Sequence, residues 1–246
     1  MADASFVVTG AAGGVGRAIA DRLRAHGHVV VIDSATPGVD DDSAVDYMIG
    51  DAGDPAVAGE AARRAEHAAP LRGWVNNAAT FQDAAMTTAE PGVLLDLINA
   101  NLRLALTGCH TAVNHFIRHG REGSIVNVSS HQAQRAVRGA LPYATAKAAI
   151  EGLTRALAVD HGPDGIRVNV VALGSIDTDR LAHYRRSHPE VDDEMAALHP
   201  LGRVGTVGEV AAAVDFLLSG GAGFINGVVL PVDGGRAAQG LDPEQL

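Results

Sequence analysis

Short apolar runs alternate along the chain with longer stretches in which apolar residues recur every three or four positions. Short β-branched runs are typical of buried strands, and the periodic stretches are typical of amphipathic helices. The pattern predicts strands at 5–9, 28–32, 47–50, 72–76, 124–128, 166–171 and 228–232. It predicts helices from Val15 to Gly27 and over 56–69, 91–119, 143–161 and 209–218. This alternation predicts one α/β domain over 1–246, with a doubly wound parallel sheet of about seven strands.

Two stretches show neither the short apolar runs of strands nor the periodicity of amphipathic helices. Residues 175–200 are polar and irregular, and we expect them to form a flexible flap over a site at the sheet edge. Residues 236–246 show no strong pattern, which predicts either a loose end or an arm that reaches a neighbouring subunit.

Composition and charge narrow the class of protein. The 246 residues are 47% hydrophobic and 20% charged, as in ordinary globular domains. No run approaches the length of apolar residues that spans a membrane, and the N-terminal segment MADASFVVTG lacks the basic region of a secretory signal, so we expect a cytoplasmic protein. The net charge of −10 argues against nucleic acid as a partner, because phosphate backbones bind basic faces.

Cysteine and histidine usage argues against a metal centre. Cys109 is the only cysteine, so the chain has no internal disulfide and no thiolate cluster. The eleven histidines are scattered without an HExxH or paired His/Cys motif. We therefore expect no bound metal.

A glycine-rich segment, TGAAGGVG at 9–16, follows the first strand and opens the first helix. Strand, glycine turn and helix form the context that a dinucleotide site needs. Gly10 permits the tight turn, Gly14 lets the backbone approach a pyrophosphate, and Gly16 allows close packing of helix on strand. The alternative is a glycine-rich turn that binds nothing.

Two carboxylates follow the next strands. Asp33 ends the second apolar run, where it is placed to accept hydrogen bonds from a ribose diol. It would repel a ribose phosphate by about 4 kcal/mol per charge pair at about 4 Å and a dielectric near 20. No arginine follows it, so Asp33 predicts NAD over NADP, the alternative being a solvated strand end. Asp51 either contacts adenine or caps a helix, a role equally open to Asp54.

Asparagines mark two further positions. Asn77 and Ala78 belong to the segment Asn-Asn-Ala-Ala after the fourth strand, where small residues let a flat ring approach and the asparagines close the turn. Asn101 interrupts the helix predicted over 91–119. Asparagine is mildly unfavourable inside a helix, so Asn101 marks either a local distortion or a solvent-facing position.

A tyrosine and a lysine lie four residues apart at the start of the predicted helix 143–161, so Tyr143 and Lys147 share one helix face. An ammonium beside a phenol lowers the phenol pKa. Bringing that pKa from ~10 towards neutrality takes roughly 4 kcal/mol, but one exposed ion pair supplies ~1 kcal/mol. We therefore expect a water-poor pocket and a cationic ligand to contribute. Ser130, at the end of an apolar run, is a second hydroxyl for holding a substrate oxygen.

Together these motifs resemble the short-chain dehydrogenase/reductase family over nearly the whole chain. The resemblance rests on TGAAGGVG, Asp33, NNAA (76–79), Asn101, Ser130, YATAK (143–147), Asn169 and VDGG (232–235). In that family a serine holds the substrate oxygen, a tyrosine is the acid/base, a lysine binds the nicotinamide ribose and lowers the tyrosine pKa, and an asparagine supports a proton relay through water. The resemblance implies these roles for Ser130, Tyr143, Lys147 and Asn101, respectively.

The resemblance also implies a single-domain Rossmann-like fold with helices on both faces. The implied activity is that of an NAD(P)-dependent dehydrogenase or reductase, here with NAD, that interconverts a secondary alcohol and a ketone. A homotetramer built from the helices at 91–119 and 143–161 is implied as well. The expected cofactor contacts are Gly10, Gly14, Val15, Gly16, Asp33, Asp51, Asn77, Ala78, Tyr143, Lys147, Ile176 and Thr178. The alternatives are an NAD-binding protein without catalysis, and an epimerase or dehydratase on the same fold.

Two positions depart from the family pattern, and the substrate is left open. Ala79 stands where the family commonly has glycine, and Leu173 stands where it usually has proline. Since proline stiffens a turn, Leu173 is expected to loosen or redirect the flap. Polar side chains lie in the flap and between Ser130 and Tyr143. Either they face the pocket and bind an anionic or polyhydroxy substrate, or they are exposed to solvent and bind nothing. These residues are His131, Gln132, Gln134, Arg135, Arg138, Arg180, Arg185 and Arg186.

Overall fold

The computed structural model describes residues 4–36 and 45–240, which contain a parallel sheet. The strands are β1 Ser5–Thr9, β2 His28–Asp33, β3 Val45–Ile49, β4 Leu71–Asn76, β5 Gly123–Ser130, β6 Ile166–Leu173, β7 Ile176–Asp177, β8 Gly205–Thr206 and β9 Val229–Val232. Seven of the described strands form the sheet in the order β3-β2-β1-β4-β5-β6-β9, and β7 pairs with β8. Every neighbouring pair in the sheet is parallel, so the predicted fold is confirmed.

Five of the helices in the described residues correspond to predicted ones, and two more, Asp179–Arg185 and Val191–Ala197, were not predicted. In chain order the helices are α1 Gly14–Leu23, α2 Pro55–Ala68, α3 Pro91–Arg118, α4 Leu141–His161, α5 Asp179–Arg185, α6 Val191–Ala197 and α7 Val207–Leu218. In the described part of the chain, none of these combines the length and apolar character that crossing a membrane requires. Helix α1 ends at Leu23, earlier than the predicted Gly27, because 24–27 form a tight turn.

The expectation of an irregular flap at 175–200 is wrong in its secondary structure. This segment holds β7, α5 and α6. No residue of α5 is buried, and Val191 is the buried residue of α6. Helices this short, with so few buried positions, leave no apolar period in the sequence.

The two faces of the sheet bury separate cores. Side chains alternate across a strand, so Val30 and Ile32 belong to a core that includes side chains of α2, α3 and α4, whereas Val29 and Val31 belong to a core that includes side chains of α1 and α7. Both faces of β2 are therefore covered, which explains its continuous apolar run.

Sheet order determines where a ligand binds. β1 lies between β2 and β4. From β1 the strand order runs through β2 to β3 on one side and through β4, β5 and β6 to β9 on the other, so its direction reverses here. Crevices at the carboxyl ends of strands form at such a switch. Gly10, Asp33, Asn77 and Ser130 all lie at or just beyond carboxyl strand ends and are thereby collected at one edge.

Candidate active site

A cleft of about 980 Å³ opens at this edge, between the strand ends and the segment that carries α5 and α6. Most of the predicted site residues line it: Gly10, Val15, Asp33, Asp51, Asn77, Ala78, Ser130, Tyr143, Lys147, Ile176 and Thr178. Gly14, Gly16 and Asn101 do not line the cleft. They lie next to residues that do, which are Thr178, Gly10 and Thr80, respectively.

Lys147 is buried beneath the cleft on the face of α4 that carries Tyr143. Its Nζ donates to the Val128 carbonyl at 2.7 Å and lies 5.4 Å from the centre of the Tyr143 ring. Burial lowers the pKa of Lys147 to about 8. The ammonium is therefore present at neutral pH, but its contact with Tyr143 is through the ring.

The environment of Tyr143 opposes ionisation. Burial raises the pKa of Tyr143 to about 12, against the smaller opposing effects of a hydrogen bond with Ser130 and the charge of Arg180. The expected help from a water-poor pocket is therefore wrong in direction, whereas a phenol pKa lowered by a cationic ligand stays a prediction. A water-poor site destabilises the phenolate unless a cation is close, so burial acts against the shift that it was expected to assist.

Ser130 is held by the chain around it. It is the last residue of β5, where it pairs in register with Leu173 of β6. Its Oγ accepts from the Gln132 N–H at 3.2 Å and caps a 3₁₀ turn over 131–133. One turn of α4 beyond Lys147, the Glu151 carboxylate accepts hydrogen bonds from Ser129 Oγ and Gln134 Nε2. These contacts fix the Ser130 hydroxyl beside Tyr143.

Asn101 neither distorts α3 nor faces solvent, contrary to both sequence-based interpretations. The helix is continuous from Pro91 to Arg118, and Asn101 is buried. Its Oδ1 accepts from the Thr80 N–H, and its Nδ2 donates to the Thr80 carbonyl and Oγ1, each at 3.0 Å. Asn101 therefore positions Thr80, and a role in proton relay stays a prediction. Phe81, next to Thr80, places its ring 5.0 Å from that of Tyr143.

The glycine turn leaves room for a backbone-bound anion. Gly10 has φ +68°, and a Cβ there would lie 2.6 Å from Ala78 Cα. A Cβ on Gly16 would lie 2.1 Å from the Gly10 carbonyl oxygen. Gly14 has φ +55°, and Gly13 caps α1 without a side chain. The first amides of α1 thus meet no capping side chain, and an uncapped helix N-terminus favours phosphate. The turn therefore fits the pyrophosphate of a dinucleotide.

The polar groups around this turn are oriented by backbone contacts. Asn77 Nδ2 donates to the carbonyls of Thr9 and Gly10, at 3.1 and 2.7 Å, so this asparagine links the segment after β4 to the glycine turn and does not close its own turn as expected. Asp33 accepts from the Ala12 N–H at 2.8 Å and from the Ala35 N–H at 3.0 Å. Its carboxylate is thus fixed in the cleft wall, and its contact with a ribose stays a prediction.

Of the two roles left open, the helix cap belongs to Asp54, and a contact of Asp51 with adenine stays a prediction. The Asp54 side chain accepts from the Ala56 N–H and caps α2. Asp51 lines the cleft and accepts from the Gly53 N–H and from Arg103. Those bonds hold the pKa of Asp51 below its usual range.

Several cleft residues gave no signal in the sequence. Arg236, just beyond β9, donates from Nη1 to Ser175 Oγ at 3.0 Å. His199 is buried; its Nε2 accepts from the Ser175 N–H, and its Nδ1 bonds the Met195 carbonyl. It therefore ties α6 to the turn after β6. The contacts of Ser175 with Arg236 and with His199 join residues 61 and 24 positions apart, and no local pattern encodes them.

Polar residues predicted for the pocket divide into two groups. His131, Gln132 and Arg180 line the cleft, whereas the side chains at 134, 135, 138, 185 and 186 do not. Among the residues that the structure describes, His131 Nδ1 and Gln132 Oε1 are buried without a hydrogen-bond partner. Leu173 also lines the cleft, but as the last residue of β6 it keeps strand geometry. Whether it loosens the flap stays a prediction.

A cluster outside the cleft joins α2 and α3. Glu66, His115 and His119 place one ligand atom each within 4.8 Å of one another, an arrangement not recognised from sequence. Arg121 Nη1 lies 2.6 Å from Glu66 Oε1, and the Leu71 N–H also donates to Glu66. The carboxylate is thus already neutralised and bonded within the protein.

The sequence and the fold are similar to known oxidoreductases. Residues 10–237 match the family described as enoyl-(acyl carrier protein) reductase. A cis-4-hydroxycyclohexanecarboxylate dehydrogenase from Sinomonas cyclohexanicum is 35% identical over 266 residues, covering 97% of this chain and 98% of that protein. An aldohexose dehydrogenase from Thermoplasma acidophilum superposes with a TM-score of 0.88 at 31% identity, covering 98% of each chain. ElxO, solved with NADP bound, superposes with a TM-score of 0.87 at 26% identity, covering 97% and 100%.

Proposed function

The chain belongs to the short-chain dehydrogenase/reductase family, as an oxidoreductase that acts on CH–OH groups, and on that premise we propose that it interconverts a secondary alcohol and a ketone with NAD, using Tyr143 as the acid/base. The observation that best supports this is the convergence of Ser130, Tyr143 and Lys147 on one cleft. They arrive from two elements, β5 and α4, and Ser130 is close enough to Tyr143 to lower its pKa against the effect of burial.

Each of these side chains has a separate task in the proposed reaction. When bound, the nicotinamide supplies or accepts the hydride. In the oxidative direction, Tyr143 Oη accepts the proton of the substrate hydroxyl, and in the reductive direction it returns that proton to the ketone oxygen. Ser130 Oγ donates a hydrogen bond to the same oxygen and orients it towards Tyr143.

Lys147 supplies the fixed positive charge of the site. Its ammonium is anchored to the Val128 carbonyl beneath the Tyr143 ring and favours the phenolate without contacting its oxygen. Since burial alone raises the pKa of Tyr143 to about 12, the proposal needs a further cation at the site. The proposed cofactor would supply that cation, because the nicotinamide ring of oxidised NAD carries a positive charge.

The preference for NAD rests on Asp33. We expect Asp33→Ser to raise the specificity for NADP relative to NAD by roughly 10²-fold, because the carboxylate that repels a ribose phosphate is gone. The check is kcat/KM with each cofactor for wild type and variant. Asp51→Ser is the matched control, since it removes a cleft carboxylate that is already paired with Arg103. An unchanged ratio in the Asp33 variant, or an equal change in the control, would contradict the assignment.

A homotetramer is the proposed assembly, and a cytoplasmic location stays a prediction from the sequence. The two helices named for the interface expose large apolar side chains: Val93, Leu95, Leu106 and Ile117 on α3, and Val159 on α4. Their burial against further copies would remove this surface from water. Sedimentation equilibrium gives the test, and a monomer at micromolar concentration would contradict the proposal.

The activity is tested by a screen of NAD reduction over hydroxy acids, polyols, sugars and cyclic secondary alcohols. Accumulation of reduced nicotinamide with one class supports a dehydrogenase. Saturable NAD binding without oxidation across the panel would instead favour a binding protein without catalysis. Conversion of substrate with no net reduced nicotinamide would favour epimerisation or dehydration on the same fold.

A further inference from the structure

Arg236 carries a positive charge at the substrate end of the cleft and forms no salt bridge with a described residue, although burial lowers its pKa against the opposing charge of Asp233. Its side chain is partly buried, and Ser175 Oγ is the side-chain partner that its guanidinium has among the described residues. A guanidinium has five N–H donors, and the bond to Ser175 uses one of them. Arg236 is thus equipped for bidentate binding of an anion.

The strand register brings three residues together beside Ser130. Leu173 pairs with Ser130 on one side and with Val232 on the other. The residues just beyond β5, β6 and β9 therefore emerge side by side, and these include His131, Ser175 and Arg236, all of which line the cleft. His131 directly follows Ser130, so the Cα atoms of the two residues are about 3.8 Å apart. One small molecule is therefore long enough to contact both side chains.

His131 and Ser175 offer donors to the same space. His131 is 6% exposed, and its Nδ1 has no partner among the described residues. Burial lowers the pKa of His131 to about 4, so the ring is neutral at pH 7 and donates from one nitrogen. Ser175 Oγ donates to Met195 Sδ at 3.1 Å, and a thioether is a weak acceptor that an anionic oxygen readily replaces.

The surrounding charges favour an anion over a neutral group. The negative charge of the Asp233 carboxylate is partly offset by the N–H groups of Gly235 and Ala237, which donate to it. Arg180 lies over the Phe81 ring at 4.1 Å and adds a second positive charge to this end of the cleft.

We propose that Arg236, Ser175 and His131 form a carboxylate subsite, and that the substrate is a small hydroxy acid whose hydroxyl carbon lies at Ser130 and Tyr143. The substrate class rests on the proposed function, but the subsite itself does not require turnover. The product in the oxidative direction is the corresponding oxo acid, with the hydride passing to the nicotinamide and the proton to Tyr143.

Binding of an unreactive pair of probes tests the subsite apart from catalysis. Cyclohexanecarboxylate and the neutral cyclohexanecarboxamide are titrated calorimetrically into the full chain, with and without saturating NAD. We expect wild type to bind the carboxylate roughly tenfold or more tightly than the amide. Arg236→Met is expected to lose that difference by weakening the carboxylate alone, and Arg236→Lys is expected to restore part of it.

Arg138→Met is the matched control, because it removes the same charge from an exposed position that is not in the cleft wall. Carboxylate affinity equal in wild type and Arg236→Met, with both folded by circular dichroism, would overturn the subsite. Tighter, Arg236-dependent binding of inorganic phosphate would overturn its assignment to a carboxylate. Carboxylate binding that depends on Arg236 in a protein that oxidises other secondary alcohols but no hydroxy acid would support the subsite and contradict the substrate class, whereas no oxidation of any alcohol would contradict the proposed function.

Discussion

Replacement of Tyr143 by phenylalanine is expected to lower kcat by roughly 10²- to 10⁴-fold, the range that general acid–base groups contribute. The variant loses the oxygen that exchanges a proton with the substrate but keeps the ring that packs on Phe81 and covers Lys147. The affinity for NAD is therefore expected to stay nearly unchanged. Steady-state rates with the substrate found by the alcohol screen, together with a direct NAD titration, give the check.

Tyr47→Phe is the matched control, since it removes the same hydroxyl from a strand residue outside the cleft wall. Its turnover is expected to equal that of wild type. If Tyr143→Phe also turned over at the wild-type rate, the assignment of Tyr143 as the acid/base would be wrong.

Lys147→Met is expected to lower kcat/KM by roughly 10²-fold or more, because the site loses its fixed positive charge while methionine keeps much of the buried volume. The same variant reports on the cost of burying the ammonium. Burial lowers the pKa of Lys147 from 10.5 to about 8, so the charged form is disfavoured in the folded state by roughly 3 kcal/mol.

That cost has a defined pH dependence. Below pH 8, Lys147 is protonated in the folded and the unfolded chain, and the full cost is present. Between pH 8 and 10.5 the unfolded chain retains a proton that the folded chain has lost, so the free energy of unfolding rises with pH. Urea denaturation from about pH 7 to 9.5 should therefore show wild type gaining up to roughly 2 kcal/mol relative to Lys147→Met. Parallel pH profiles for the two proteins would contradict burial of a charged Lys147.

The sequence predicted what local pattern encodes. Both faces of β2 are buried, and its continuous apolar run therefore located the strand and the Asp33 that ends it. Gly10 and Gly16 were predicted from the turn that they form, since a Cβ at either position would collide with backbone. Ser130 was placed at the sheet edge because the apolar run before it is a buried strand.

What the sequence did not predict depends on contacts between distant segments. Arg236 and Ser175 are 61 residues apart, and their meeting is set by the register of β6 with β9. Asn101 was expected to distort α3 or face solvent, but its partner is Thr80, on a loop 21 residues earlier. The pKa of Tyr143 was misjudged for a related reason, because spacing places Lys147 nearby but does not measure how deeply both groups are buried.

Titration of the Tyr143 phenol tests the central claim most directly. The ultraviolet difference between wild type and Tyr143→Phe isolates the ionisation of this one side chain, with and without saturating oxidised NAD. We predict a pKa near 12 in the protein alone and a fall of several units towards neutrality when the cofactor is bound. A phenol pKa unchanged by the bound cofactor would contradict an acid/base that a nicotinamide cation and Lys147 together activate.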